Sequence, residues 1–198
     1  ALTEVAGGLS LLNNSLEDGF NLPVLASVDS LYVQQNYLLG SFELPAVTSV
    51  GLLWLLGNPA LTSFSLPALT KVAGCMNITV NHALTSISLP ELLRTKSVVL
   101  INGNDALTSL EFPVLHSATC EPESPPFSCY FTEGLQAGWN VYNNAALPQC
   151  LVDGLISQLH KARARWAGLG ICSEVSTYDN DESCTCSEVD GARIADCP

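Results

Sequence analysis

The dipeptide Leu-Pro returns at Leu22-Pro23, Leu44-Pro45, Leu66-Pro67 and Leu89-Pro90, then as Phe112-Pro113, in steps of 22, 22, 23 and 23 residues. An asparagine keeps the same beat. Asn14, Asn36, Asn58, Asn81 and Asn104 are separated by identical steps, and Asn144 follows after 40 residues, one 23-residue step plus a 17-residue insertion. Self-similarity at a period of roughly 20–50 residues marks a chain built from stacked supersecondary units, so this repeat constrains the fold more than composition does.

Counting from each Asn exposes strand alternation. Three residues before it stand Leu11, Val33, Leu55, Ile78, Ile101 and Val141, and five before stand Leu9, Leu31, Leu53, Met76, Val99 and Trp139. Alternation with one apolar face predicts a strand half buried against a core. Six residues after the Asn come Phe20, Phe42, Phe64, Ile87, Leu110 and Cys150, and eight after come Leu22, Leu44, Leu66, Leu89, Phe112 and Val152, which predicts a second short strand. Leu25, Val47, Leu69, Leu92 and Leu115 form a third inward row; Val28, Val50 and Val72 begin a fourth that lapses at Thr95 and Ala118.

One such unit cannot bury these rows alone, whereas identical units stacked about 4.8 Å apart share one core and parallel, in-register ladders. The expected fold is all-β: a parallel β-solenoid of about six 22–23-residue coils over residues 1–150. The repeated Asn is expected to be structural, its amide bonding neighbouring backbone where the chain leaves the strand. Proline after the second strand fits, because its missing donor would otherwise break a ladder bond. After Cys150 the period changes. Leu151, Val152, Leu155, Ile156 and Leu159 share one helical face, Lys161, Arg163 and Arg165 sit in the last turns, and Gly168 and Gly170 stop the run. The pattern predicts a helix over 151–168 that caps the open end of the solenoid, then a Cys-rich acidic tail over 169–198.

The phrase Asn58-Pro-Ala-Leu-Thr-Ser-Phe-Ser-Leu-Pro-Ala-Leu-Thr-Lys-Val72 and its copies cover residues 1–117 and 138–151. This text resembles the receptor L-domain family, a leucine-rich-repeat-like solenoid, and is closer still to the Leu-Pro-Ala-Leu-Thr repeat proteins of fungal cell walls and bacterial envelopes and secretomes. The resemblance implies a secreted or cell-surface solenoid that binds ligands. It does not choose the ligand, because one fold carries many functions. The tail after 172 and the insertion at 119–135 depart from the receptor domains.

Composition narrows the partners. The chain is 47% hydrophobic, with 19 acidic and 7 basic residues for a net charge of -12. That excludes disorder and disfavours nucleic acid or an anionic membrane surface, since the basic residues are scattered along the sequence. Leu44 to Thr70 carries no charge over 27 residues, but Asn58-Pro59 and Leu66-Pro67 interrupt any spanning helix. Eight cysteines without zinc spacing (Cys75, Cys120, Cys129, Cys150, Cys172, Cys184, Cys186 and Cys197) point to four disulfides and an oxidising compartment. Cys120 and Cys129 flank a Pro-rich loop that reads as closed by its own bridge.

If positions three and five before each Asn face inward, positions two and four face out. They place Tyr32, Trp54, Leu56, Leu100 and Tyr142 on one sheet face, more apolar than solvent requires, and make it the leading surface for a glycan or protein ligand. In the tail, Asp179, Asp181 and Asp190 fall at calcium-loop spacing, although Cys184 replaces the loop glycine. No other cofactor is expected. His82, His116 and His160 occupy different repeat positions and no nucleophile or phosphate-loop motif occurs, so a non-catalytic chain is expected. Two functions follow: an extracellular recognition module, or a structural subunit that binds copies of itself head to tail.

Overall fold

Two β-turns per repeat bend the chain into a coil. The carbonyls of Asn36, Asn58, Asn81, Asn104 and Asn144 each accept from the N–H of the Leu three residues on, at 2.8–3.3 Å. The second turn opens at Leu22, Leu44, Leu66, Leu89 and Phe112, each bonded to the residue three further on at 3.1–3.3 Å. Proline therefore occupies the second turn position, where its fixed φ is pre-set for the bend. The residue before each ladder Asn is left-handed: Asn13, Gln35, Gly57, Val80, Gly103 and Asn143 have φ of 51–68°.

The computed structural model describes residues 2–17, 19–119, 138–165, 174–178, 180, 185–189 and 192–196. It is a parallel β-solenoid of about five turns with one helix. The first repeats pair a long strand with a short one: β1 (Glu4–Leu12) with β2 (Phe20–Asn21), β3 (Ser27–Gln34) with β4 (Ser41–Glu43), and β5 (Ser49–Leu56) with β6 (Ser63–Ser65). Later repeats split the long strand. They give β7 (Lys71–Val72), β8 (Met76–Thr79) and β9 (Ser86–Ser88), then β10 (Arg94–Lys96), β11 (Val99–Asn102) and β12 (Ser109–Glu111), then β13 (Ser117–Thr119) and β14 (Gly138–Tyr142). After these come helix α1 (Gln149–Arg165), β15 (Glu174–Tyr178), and an antiparallel hairpin of β16 (Thr185–Val189) and β17 (Ala192–Asp196).

The split explains the change from a 22- to a 23-residue step. β5 pairs with both β7 and β8, Val50 meeting Val72 and Leu53 meeting Met76, so the added residue lies between Val72 and Met76. From there the sheet runs as two limbs, β7–β10–β13 and β8–β11–β14–β15. The 17-residue insertion enters at the same gap, between β13 and β14.

The inward rows pack into one core. Leu39, Leu61, Leu84, Leu107 and Leu147, three residues after each Asn, add a fully buried row. Phe20, Phe42 and Phe64 stack at 5.0 and 5.6 Å. The lapse at Thr95 has a cause: Trp139, in the neighbouring row, points its indole at it, Nε1 donating to Thr95 Oγ1 at 3.4 Å, and its ring meets Phe112 edge-on at 5.2 Å. A bulky aromatic in one row is matched by a smaller, hydrogen-bonding residue across from it.

The asparagines form a buried ladder. Each backbone N–H donates to the next Asn Oδ1, from Asn14 to Asn36 at 2.8 Å and onward through Asn144 at 3.1–3.2 Å. Each side-chain Nδ2 reaches back to the carbonyl three residues before the preceding Asn, for example Asn58 to Val33 and Asn81 to Leu55. The repeated Asn thus joins the backbone and side chains of successive turns. The ladder extends one rung further than expected, because Asn144 Nδ2 lies 3.4 Å from Asn180 Oδ1, and Asn180 Nδ2 donates to Val141 O at 3.2 Å. β15 accordingly pairs with β14 in register, Tyr142 opposite Tyr178.

Helix α1 begins at Gln149, two residues before the sequence expectation, and is described to Arg165. Val152 and Leu155 continue the inward rows eight and eleven residues after Asn144, so the helix fills the place of a short strand. Gln158 Nε2 donates to Phe112 O at 2.8 Å and Leu115 O at 2.7 Å, closing the last proline turn. The helix is not the final layer: β15 continues the sheet beyond it on the long-strand side.

Candidate interaction surface

The strand register assembles the predicted face in two rows. Tyr32 stands beside Trp54, then Asn77, Leu100 and Asn140; Gln34 stands beside Leu56, then Thr79, Asn102 and Tyr142. All five candidate side chains thus belong to one outward face, with Tyr32 and Trp54 as direct neighbours.

Their exposure is not uniform. Leu12, at the β1 edge, is 54% exposed, and Tyr32, Leu56 and Tyr142 are half-buried, but Trp54 is only 8% and Leu100 only 2% exposed. Asn140 and Thr79 are buried as well. The middle of the face is therefore packed away, which leaves Tyr32 and Leu56 toward β1 and Tyr142 toward β15 as its accessible apolar groups. The oxygens Asn77 Oδ1 and Asn102 Oδ1 are buried there without a hydrogen-bond partner. Sequence reasoning missed this, because strand alternation tells which way a residue points and not what lies over it.

Other sequence candidates separate. His82 and Asp105, each one residue after a ladder Asn, meet on consecutive turns with Nδ1 2.7 Å from Oδ2, both about half exposed. His116 Nδ1 lies 3.1 Å from Val114 O. Thr62, Thr85 and Thr108 donate to carbonyls of the preceding turn at 3.0–3.4 Å, bonds that join successive coils.

Cys75 is buried, with Sγ 3.9 Å from Ser97 Oγ. Cys75 and Cys150 are each disulfide-bonded, with partners outside the described residues. Cys186 lies in β16, whereas the loop at 120–135 with Cys120 and Cys129, Cys172, Cys184 and Cys197, and the calcium candidates Asp179, Asp181 and Asp190 lie outside the described residues. Among the described residues no three metal-ligating side chains converge, and no helix is long and apolar enough to cross a membrane. Comparison of the chain with protein-family models, with curated proteins and with solved structures finds no match.

Proposed function

We propose that the chain is a non-catalytic extracellular recognition module that binds a glycan or protein through the outward sheet face. The observation that carries this reading is the register pairing of Tyr32 with Trp54, beside Gln34 and Leu56, on a backbone clamped by the Asn ladder. Half-buried Tyr32 offers a ring face and a hydroxyl, and buried Trp54 stands beside it on the next strand. Rigid aromatics on a rigid scaffold lose little entropy on binding. The finer parts of the reading are six coils with α1 covering their end on the short-strand side, four disulfides, and a secreted or cell-surface setting. The bonded Cys75 and Cys150 and the resemblance to receptor L domains support them.

The test compares the wild-type chain with Tyr32→Ala on an array of soluble oligosaccharides. Signals lost in the variant support the face; signals that persist unchanged count against it. A calcium site at Asp179, Asp181 and Asp190 is a lesser part of the reading, checked by whether calcium raises the melting temperature.

A second reading, head-to-tail assembly of copies of the chain, draws on β1. Among the described residues that strand pairs only with β3, and Val5, Leu9 and Leu11 are half-buried where their equivalents in later turns are fully buried. Light scattering after size exclusion separates the two, since assembly requires species heavier than one chain.

A further inference from the structure

The fold gathers basic residues that the sequence scatters. Val72 and Thr95 are fully buried, so Lys71 projects outward from β7, and Arg94 and Lys96 project outward from β10. Three of the seven basic residues thus share one strip in a chain of net charge -12. Lys71 and Arg94 are direct ladder partners, which sets them on successive turns about 4.8 Å apart. Lys96, which has a partner of its own, flanks them.

Like charges directly opposite one another destabilise a sheet. Nineteen acidic residues were available to relieve the pair, yet among the described residues neither Lys71 nor Arg94 makes an ion pair. Their row continues through Ser49 on one side and Ser117 on the other, so along the row small hydroxyls flank the cations.

We propose that this strip is a second recognition surface, for an acidic polysaccharide. Carboxylates or sulfates laid across the turns would meet a cation on each of two successive turns and a serine hydroxyl on either side, with the Arg94 guanidinium supplying a bidentate fork. The row lacks the apolar anchors that a bound peptide strand would fill, which favours a sugar polymer over an acidic polypeptide. The net negative charge opposes polyanions at long range, so the attraction is local and salt-sensitive. The strip lies on the β7–β10–β13 limb, apart from the face carrying Tyr32, and stands whether or not that face binds a ligand.

The experiment is calorimetry or affinity electrophoresis of the full chain with polygalacturonate and with dextran sulfate at low ionic strength. Binding to at least one is expected, and which one binds decides between carboxylate and sulfate. The double variant Lys71→Gln, Arg94→Gln should lose at least about tenfold in affinity while its Tm stays level or rises, because a like-charge contact is removed. Ser49→Lys, which extends the cationic row, should tighten binding, and Tyr32→Ala should leave it unchanged. Failure of the wild-type chain to bind either polymer, undiminished binding by the double variant, or tighter binding of poly-glutamate than of both polysaccharides would overturn the proposal.

Discussion

Replacing Asn81 with Ala removes the rung in the middle of the ladder. Asn81 is fully buried, and its Oδ1 accepts from the N–H of Asn58 at 3.1 Å and from Asn58 Nδ2 at 3.0 Å. Its Nδ2 donates to Leu55 O and Thr79 O, both at 3.1 Å. The substitution orphans the Asn58 N–H, while Asn58 Nδ2 keeps Val33 O and Thr79 O keeps the Gly57 N–H. One orphaned buried donor costs about 1–3 kcal/mol, and two or three lost bonds with surviving partners add about 1 kcal/mol each. The sum is about 3–6 kcal/mol, a large share of a domain stability of about 5–15 kcal/mol. Asn14 supplies the control. It is exposed, and its backbone N–H keeps the bond to Asn36 Oδ1 after substitution, so Asn14→Ala should cost under about 0.5 kcal/mol. Urea unfolding followed by tryptophan fluorescence and circular dichroism measures both. Equal costs for the two variants, or a cost below about 1 kcal/mol for Asn81→Ala, would refute the ladder as a source of stability.

Other outcomes follow from the same geometry. Val80 holds φ of 58° while 40% exposed, so Val80→Gly should raise stability by about 1–2 kcal/mol in the same urea assay, by removing a left-handed β-branched residue. Gly51→Ala should destabilise by more than about 2 kcal/mol, because an added Cβ meets the Asp29 carbonyl oxygen at 2.3 Å and only backbone movement relieves it. Asn81→Asp keeps the acceptor but turns a carboxylate toward the Leu55 and Thr79 carbonyls, which with burial raises its folded-state pKa above the unfolded value of about 3.9. Its proton is then held more tightly in the folded state. Relative to wild type the variant is therefore most stable below about pH 3.9 and loses stability as pH rises through the raised pKa, which urea midpoints at several pH values would track.

The architecture was legible because its signal is repeated. Leu-Pro and Asn recur at one step, and a pattern copied several times outweighs the weakness of each copy. Thr95, a lapse in the sequence pattern, is explained only by Trp139, 44 residues away, because packing partners are set by the stack and not by the local period. Asn180 was hidden by a 36-residue gap that holds α1, although Val175, Thr177 and Tyr178 precede it at the repeat spacing. The surface was less legible. Alternation placed Trp54 and Leu100 on the correct side of the sheet, but their burial depends on what lies over that side. The pairings of His82 with Asp105 and Lys71 with Arg94 join residues 23 apart, a spacing that becomes proximity only once the chain is coiled.

The Asn ladder is the central structural claim, and it holds the rows that make every surface described above. Hydrogen exchange of the asparagine side-chain amides, read by NMR on the labelled chain, tests it directly. Slow exchange is expected at Asn36, Asn58, Asn81, Asn104, Asn144 and Asn180, whose Nδ2 groups bond inside the stack, and fast exchange at exposed Asn14. Fast exchange at the six buried positions, or equal protection at Asn14, would contradict it.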